Sequence, residues 1–312
     1  MTHEAAMNDE LHIERMRRAA QSLEGLSCGD AFGERFFLPD AVAHSMIQER
    51  AIPAPPWFYT DDTVMALSII ETLAEHHEIN PDTLAVNFAG RYDASRGFGP
   101  AMHKLLPAIR RQPQLWRTEA AALFRGEGSY GNGSAMRVPP LGAYFADDPE
   151  RITDQASFSS IPTHSHKEAV AGAIAVAVAT GLAWRMKNAG ELPNSREFLE
   201  YVHRHVPDSY VRKGIKNAID LSPEALADTA VARLGNGSAV TAPDTVPFAL
   251  WCAARHLGNY EEALWVTVSG LGDRDTTCAI VGGIVVMYGG IESIPSQWLQ
   301  HREQIPRWVS SF

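Results

Sequence analysis

The chain has 312 residues, of which 45% are hydrophobic and 21% charged, a composition typical of a soluble globular protein. Its 37 acidic and 27 basic side chains give a formal net charge of −10, which argues against binding nucleic acid or an anionic membrane through bulk electrostatics. Cys28, Cys252 and Cys278 each lie in an apolar stretch without metal-type spacing, so we expect reduced, buried thiols. The charged segment Met1–Arg18 predicts no secretory signal, and a cytoplasmic location is expected.

Helical periodicity runs through the chain from its first amphipathic stretch, 11–26, in which apolar residues recur every three or four positions. The Ala- and Val-rich stretch 169–184 is too short to cross a membrane and predicts a buried helix. Alternating strand patterns and long biased linkers are both absent, so we expect an all-α fold and a single domain over 1–312. The predicted helices are 11–26, 61–78, 81–94, 167–187, 195–206, 223–233, 245–257, 260–270 and 275–289.

Two short acidic segments each stand where a helix is predicted to begin, and they are the most informative feature of the sequence. The first is Thr60-Asp61-Asp62-Thr63 and the second is Asp273-Arg274-Asp275-Thr276. Asp and Thr are common helix caps, so either segment alone fits a capping role. Together they offer four carboxylates, which would repel one another without a cation, and their all-oxygen donor set suits Mg²⁺ or Mn²⁺.

A glycine-rich loop spans 126–137 and contains Gly131-Asn132-Gly133-Ser134-Ala135. Its backbone N–H groups are candidates for contact with a phosphate or ribose, although an ordinary flexible connection would look the same, and neither a Walker nor a Rossmann motif is present. The same five residue types recur at 235–239, which suggests two tight turns whose backbones each approach something closely.

Two histidines, His164 and His166, precede the Ala-rich helix. Such a pair is compatible with metal binding or with a helix start that carries solvated imidazoles. The segment Gly29-Asp30-Ala31-Phe32-Gly33-Glu34 follows the first helix, and its small residues suggest close packing beside a site.

Taken in order, these motifs resemble the ADP-ribosylglycohydrolase family, which includes the dinitrogenase reductase-activating glycohydrolases. The resemblance covers roughly residues 12–292, and its most specific part is the combination of the two acidic segments. The matching segments are Gly29-Asp30-Ala31-Phe32-Gly33, Thr60-Asp61-Asp62-Thr63, Gly131-Asn132-Gly133-Ser134-Ala135-Met136-Arg137, Thr163-His164 and Gly272-Asp273-Arg274-Asp275-Thr276-Thr277.

The resemblance implies a single-domain orthogonal helical bundle with a two-metal centre, Mg²⁺ or Mn²⁺, at the base of an ADP-ribose cleft. It also implies a set of metal ligands, namely Thr60, Asp61, Asp62, Asp273, Asp275 and Thr276. Contacts to the substrate are expected from the glycine-rich loop and one histidine, namely Gly128, Ser129, Tyr130, Gly131, Asn132, Gly133 and His164.

One position departs from the family pattern. Many relatives carry a glutamate four residues after the glycine that corresponds to Gly33, and this chain has Phe37 there. The nearest acids are Glu34 and Asp40. Because Glu34 and Phe37 lie three apart on a helix and share a face, Glu34 is the candidate catalytic carboxylate, with Asp61 or Asp62 as the alternative base.

The expected activity is metal-dependent hydrolysis that removes ADP-ribose from modified protein side chains, with an ADP-ribosylated protein as substrate and ADP-ribose as the product ligand. The acidic balance favours an N-glycosidic arginine linkage over an O-linked, serine-type one. The alternatives are an ADP-ribose-binding module with impaired catalysis, a hydrolase of another N-riboside, and a structural protein with well-capped helices.

Overall fold

The computed structural model describes residues 3–309 and residue 312, and the regular elements of this part of the chain are helical. The all-α prediction is confirmed. The α-helices are α1 (His3–Glu34), α2 (Asp40–Gln48), α3 (Asp61–His76), α4 (Pro81–Arg91), α5 (Met102–Arg111), α6 (Trp116–Gly126), α7 (Gly133–Met136), α8 (Pro139–Tyr144), α9 (Pro149–Ser160), α10 (Lys167–Ala189), α11 (Ser195–His205), α12 (Tyr210–Ile219), α13 (Ala227–Leu234), α14 (Ala242–Arg255), α15 (Tyr260–Ser269), α16 (Arg274–Gly289) and α17 (Ser296–His301).

The long helix α1 packs backbone to backbone against α16. Gly25, Gly29 and Gly33 recur every four residues and therefore share one face of α1. A Cβ atom at any of them would collide with a main-chain carbonyl of α16, that of Gly282, Cys278 or Arg274 respectively. The two helices can approach this closely only because glycine occupies these positions, and the contact brings the end of α1 onto the start of α16.

The predicted buried helix is α10, which passes through the hydrophobic core. In the described part of the chain, α10 is the one helix that is long and apolar enough to cross a membrane. However, 78% of its apolar 18-residue stretch is buried inside the fold. Its small side chains permit close contacts, as at Ala177, whose carbonyl lies against Gly142 of α8. All three cysteines are buried and free, as predicted.

Several helices were not predicted because proline or glycine interrupts their sequence pattern. Pro107 lies inside α5, and Pro139 with Pro140 fills the first turn of α8, where a missing N–H costs nothing because no intrahelical partner is due. The helix α12 was not predicted either, and it contains Gly214, which packs against Pro247 of α14. The helix predicted at 223–233 begins only at Ala227, and the one predicted at 245–257 begins earlier, at Ala242.

A segment near the C-terminus fixes the loop that leads into α3. The Trp57 N–H donates to the carbonyl of His301 at 2.7 Å, and the Glu303 N–H donates to the carbonyl of Trp57 at 2.9 Å. The Glu303 carboxylate then accepts the N–H of Tyr59 at 3.0 Å and pairs with Arg96, whose guanidinium also donates to the Tyr59 carbonyl at 2.9 Å. Glu303 thereby holds Trp57 and Tyr59, just before the first acidic segment.

Glu303→Gln should lower the free energy of unfolding by about 1–3 kcal/mol, because it removes the charge that Arg96 faces in a partly buried setting. Urea unfolding monitored by circular dichroism measures the change. The matched control is Glu14→Gln, whose pair with Arg17 is 60% exposed on both sides and should contribute almost nothing. Equal effects of the two substitutions would contradict a structural role for Glu303.

Candidate metal centre

Asp30, a fully buried residue of α1, caps helix α3 from outside that helix. Its carboxylate accepts the backbone N–H groups of Thr60 and Thr63, each at about 3.1 Å, and their hydroxyls at 2.9 and 2.5 Å. The two backbone N–H groups are donors without a partner inside the helix, and such donors are normally satisfied by the helix's own N-cap residue. Asp30 therefore fixes the position and the orientation of the first acidic segment.

Asp62 lies at the centre of the acidic cluster. The Thr60 hydroxyl oxygen is 3.0 Å from Asp62 Oδ2, whereas Asp62 Oδ1 is buried without a hydrogen-bond partner. One carboxylate oxygen from each of Asp30, Asp62 and Asp275 lies within 4.8 Å of the other two. A buried carboxylate with an unpaired oxygen, close to two other carboxylates, is a donor arrangement that a cation would satisfy.

The second acidic segment enters the same cluster from the start of α16. Asp273 Oδ2 accepts the Asn132 amide at 2.6 Å, and Asp275 Oδ1 accepts the Thr276 N–H at 2.8 Å. Arg274 points away from the cluster, where it donates to the carbonyl of Phe36 and lies 3.5 Å from Asp40. The structure therefore brings the two acidic segments together, although they lie more than half the chain apart in sequence.

Burial and mutual repulsion raise the pKa of every carboxylate in the cluster. Burial, assisted by the charge of Asp30, raises the pKa of Asp61 to about 8. Burial raises the pKa of Asp62 and Asp275 well above the usual range, with the charge of Asp275 adding to the rise at Asp62 and that of Asp273 at Asp275. The pKa of Asp30 rises only to about 6, because the donors from Thr63 and Thr60 oppose its burial. Without a cation these groups retain protons, and a divalent ion would replace those protons.

The donor set fits a hard divalent cation. Every atom that the cluster offers is an oxygen, from carboxylates and the hydroxyls of Thr60 and Thr276, which is the set that Mg²⁺ and Mn²⁺ favour. Arg137 is the buried cation whose charge most affects the pKa of Asp61, and burial lowers its own pKa to about 9. Its guanidinium packs on the Phe88 ring and donates to the Ser159 carbonyl at 2.7 Å. It therefore offsets only part of the cluster's negative charge.

A cleft with a volume of about 400 Å³ opens above the cluster. Ten of the residues predicted to bind metal or substrate face it: Asp61, Ser129, Tyr130, Gly131, Asn132, Gly133, His164, Asp273, Asp275 and Thr276. Thr60 and Asp62 lie buried beneath its floor. Gly128 packs against Ser165 instead, and Glu34 is exposed at the end of α1, outside the residues that line the cleft.

The two Gly-Asn-Gly-Ser-Ala segments lie side by side, and each makes the close approach that their glycines suggest. A Cβ atom on Gly133 would lie 2.7 Å from the His164 ring, and one on Gly237 would lie 2.6 Å from Cβ of Asp273. Backbone hydrogen bonds connect the flanking residues, since Asn132 N donates to the Val240 carbonyl at 3.4 Å and Ala242 N to the Tyr130 carbonyl at 3.1 Å. Both loops reach Asp273, the first through the Asn132 amide and the second through Gly237.

The two histidines occupy different environments. Burial and the charge of Arg137 lower the pKa of His164 to about 3, so its imidazole is neutral, and its Nδ1 lies 2.8 Å from the Thr163 hydroxyl. His166 caps α10 by accepting the Glu168 N–H at 3.1 Å, which agrees with the helix-start interpretation of this residue.

Asp30 was not among the predicted ligands, and Phe37 was noted only as a departure from the family. The available signal for Asp30 was an acid among small residues, in the matching segment Gly29-Asp30-Ala31-Phe32-Gly33. The pKa of Glu34 is raised, chiefly by partial burial and to a smaller extent by the charge of Asp273, while the charge of Arg35 opposes the rise. The Phe37 side chain is 48% exposed, with the Arg274 guanidinium 5.1 Å from its ring centroid.

Comparison with known proteins agrees with this geometry. A family model described as ADP-ribosylglycohydrolase matches residues 11–311. ADP-ribosylhydrolase ARH3 from Gallus gallus is 30% identical over 281 residues, which cover 78% of this chain and 74% of that protein, and ARH3 from Homo sapiens is 29% identical over 79% and 75%. A solved ADP-ribosylglycohydrolase-related protein complex shares the fold, with a TM-score of 0.58, 23% identity and 93% of each chain covered. The chain belongs to the ADP-ribosylglycohydrolase family.

Proposed function

We propose that the protein is a metal-dependent hydrolase that releases ADP-ribose from modified protein side chains. The observation that carries the proposal is the all-oxygen cluster beneath the cleft, with Asp62 Oδ1 buried and unpaired. Membership of the ADP-ribosylglycohydrolase family and similarity to two ADP-ribosylhydrolases support the substrate class.

The metal would be Mg²⁺ or Mn²⁺, with two ions per chain. The proposed ligands are Thr60, Asp61, Asp62, Asp273, Asp275 and Thr276. When bound, such ions supply positive charge that orients ribose hydroxyls and makes a water more acidic. We assign Asp30 a positioning role instead, because its two oxygens already accept four N–H and O–H donors from α3.

The cleft residues would bind ADP-ribose. The backbone between Gly128 and Gly133 is proposed to line the diphosphate path, which glycine leaves uncovered. Its N–H groups at Gly128, Gly131 and Asn132 already donate within the protein, so contact with the diphosphate would come from the others. His164 is neutral at physiological pH, so it can hydrogen-bond to a ribose or phosphate oxygen without adding charge. The nearby Asn132 amide is already donated to Asp273 and Thr245 and would hold the cleft floor in place.

In the proposed reaction the oxygen of a water forms a new bond to the anomeric carbon of the ribose, and the bond to the side-chain nitrogen breaks. The electron pair of that bond leaves with the guanidine, which receives a proton, so that one water is consumed. Glu34 is the proposed base, because a carboxylate that ligates a cation is a weak base and Glu34 lies outside the predicted ligand set. Glu34 follows Gly33, which packs against the main chain of Arg274 and Asp275 at the start of α16.

The proposed linkage is the N-glycosidic bond to arginine. The acidic balance of the chain, to which the exposed Glu34 contributes, favours a leaving group that is positively charged. Comparing the hydrolysis of peptides that carry ADP-ribose on arginine with that of peptides that carry it on serine tests this choice of linkage.

Asp275→Asn should lower hydrolysis of ADP-ribosyl-arginine by about 100-fold or more, because it removes one charge from the cluster that would hold the metal. Release of ADP-ribose measured by chromatography gives the rate, and calorimetric titration with ADP-ribose, with and without Mg²⁺, gives the affinity. Asp208→Asn, an exposed aspartate remote from the cleft, is the control. Full activity in the Asp275 variant would remove the metal-site assignment.

The unfolding temperature in the presence of a chelator should fall as pH rises from about 4 to 8. Folding raises the pKa of Asp30 to about 6 and that of Asp61 to about 8, whereas an unfolded aspartate has a pKa of about 3.9. The folded state therefore binds more protons in this window, and the stability that it gains at low pH is lost as pH rises through the folded pKa values.

Mg²⁺ should remove most of this fall, because it binds the ionised carboxylates of the folded state only. Differential scanning calorimetry at four pH values, with chelator or with Mg²⁺, separates this effect from that of other titrating groups. A pH profile that Mg²⁺ leaves unchanged would contradict the cluster as a cation site.

Glu34→Gln should lower kcat by about 100- to 10,000-fold while leaving the Kd for ADP-ribose unchanged, as expected for a base that does not contribute to binding. Glu150→Gln, which removes an exposed glutamate of α9, is the matched control. If the natural protein binds ADP-ribose without turnover, the chain is a binding module. If the Glu34 variant retains full turnover, Asp61 or Asp62 takes the role of base.

A further inference from the structure

A second cavity, with a volume of about 470 Å³, adjoins the ADP-ribose cleft at Asp273. The two cavities share Val240 and Asp273 in their walls. The turn after α1 contributes Phe37 to the second cavity, and the first residue of α16 contributes Arg274. Asp273 therefore borders both cavities.

The wall of the second cavity already binds a guanidinium. Arg274 is 8% exposed, and its guanidinium carbon lies 5.1 Å from the centroid of the Phe37 ring. Phe37 itself is 48% exposed, so part of its surface remains accessible beside this contact. An aromatic ring that packs against one guanidinium can accept another cation on its free surface, because the negative potential lies on both faces of the ring.

The charge of the second cavity disfavours an anionic occupant. Asp40 and Asp273 both line it, and the Asp40 side chain is 75% exposed. Arg274 lies 3.5 Å from Asp40 and balances one of the two charges. Since Arg274 is used by Asp40 and by the carbonyl of Phe36, the lining offers no free cation to a diphosphate, and the exposed Asp40 favours a cation such as a substituted guanidinium.

The second Gly-Asn-Gly-Ser-Ala segment lines this cavity but has little capacity left to bind a phosphate. The Gly237 N–H donates to the Asp244 carbonyl at 3.0 Å, the Ser238 N–H to the Asn236 side chain at 3.2 Å, and the Ala239 N–H to the Asp244 carboxylate at 2.8 Å. Since these donors are already used, the segment serves as a wall and offers no anion-binding backbone.

We propose that the second cavity binds the arginine side chain that carries ADP-ribose, together with its adjoining main chain, with Phe37 packed on the guanidinium and Asp40 facing its charge. The inference rests on the proposed function, since it places the bond to be cut beside Asp273, between the two cavities. It makes Phe37 and Asp40 specificity residues for the protein part of the substrate.

The test compares two ligands of the natural protein and of the Phe37→Leu and Asp40→Asn variants in the presence of Mg²⁺. One ligand is ADP-ribose, and the other is a peptide that carries ADP-ribose on arginine. Calorimetry gives both Kd values, and turnover of the peptide gives KM and kcat. Phe158→Leu, which removes an exposed phenylalanine of α9, and Asp208→Asn are the matched controls.

Each variant should raise Kd and KM for the modified peptide by about 5- to 10-fold, the size of one cation–π or ion-pair contact, and leave the Kd for ADP-ribose unchanged. Equal weakening of both ligands would overturn the assignment, because Phe37 would then belong to the ADP-ribose cleft. The assignment would also be overturned if the variants bound both ligands as tightly as the natural protein does. It would be overturned as well if they lost as much affinity for a peptide that carries ADP-ribose on serine as for the arginine-linked peptide.

These outcomes are separable from failure of the proposed function. If the natural protein binds ADP-ribose but does not hydrolyse the peptide, the hydrolase proposal fails, and the difference between the two Kd values still decides the role of the cavity. If it binds neither ligand with Mg²⁺ present, both proposals are overturned.

Discussion

The structure depends on the backbone contact between α1 and α16. Glycines spaced by four residues on α1 let its main chain touch that of α16, and no larger residue fits at Gly25, Gly29 or Gly33. Close packing of this kind is rigid, because neither helix can move without a clash or a void. Asp30 lies next to the last two of these glycines and Asp275 lies in the first turn of α16, so the same contact that builds the core sets the distance between two carboxylates of the cluster.

Asp30 extends this constraint to a third helix. By capping α3 through Thr60 and Thr63, it couples the orientation of the first acidic segment to α1. Four donors on one carboxylate also explain why the pKa of Asp30 rises less than that of Asp61, since hydrogen bonds to the ionised form oppose the effect of burial. The start of α3 is capped by Asp30 and by the hydroxyl of Thr60, which accepts the Asp62 N–H. The Oδ1 atom of Asp62 takes no part in this capping and has no hydrogen-bond partner.

The sequence was sufficient to predict the helical class, the buried α10 and the starts of α3 and α16, because each rests on a local signal such as periodicity, an uncharged run or a cap. It was insufficient for α5 and α8, where proline breaks the pattern: the α8 prolines fill its first turn, which tolerates them, whereas Pro107 lies inside α5. Asp30 was missed as a site residue for a different reason. Its role comes from long-range contacts with α3, and within α1 it looks like one acid in a small-residue turn. That the two acidic segments meet could be expected only from family resemblance, since no spacing rule links positions so far apart in sequence.

The two Gly-Asn-Gly-Ser-Ala segments have the same sequence but different roles, because different side chains surround them. In the first copy Gly133 lies under the neutral ring of His164, and the Asn132 amide reaches Asp273. In the second copy Asp244 accepts the backbone N–H of Ala239, and Gly237 packs against Asp273. A single carboxylate is thus held from both sides, by an amide on one and by a close main chain on the other. Such a wall between an acidic cavity and a glycine-lined cleft keeps opposite charges of a bound molecule apart, which is the physical basis for assigning a cationic leaving group to one side and a diphosphate to the other.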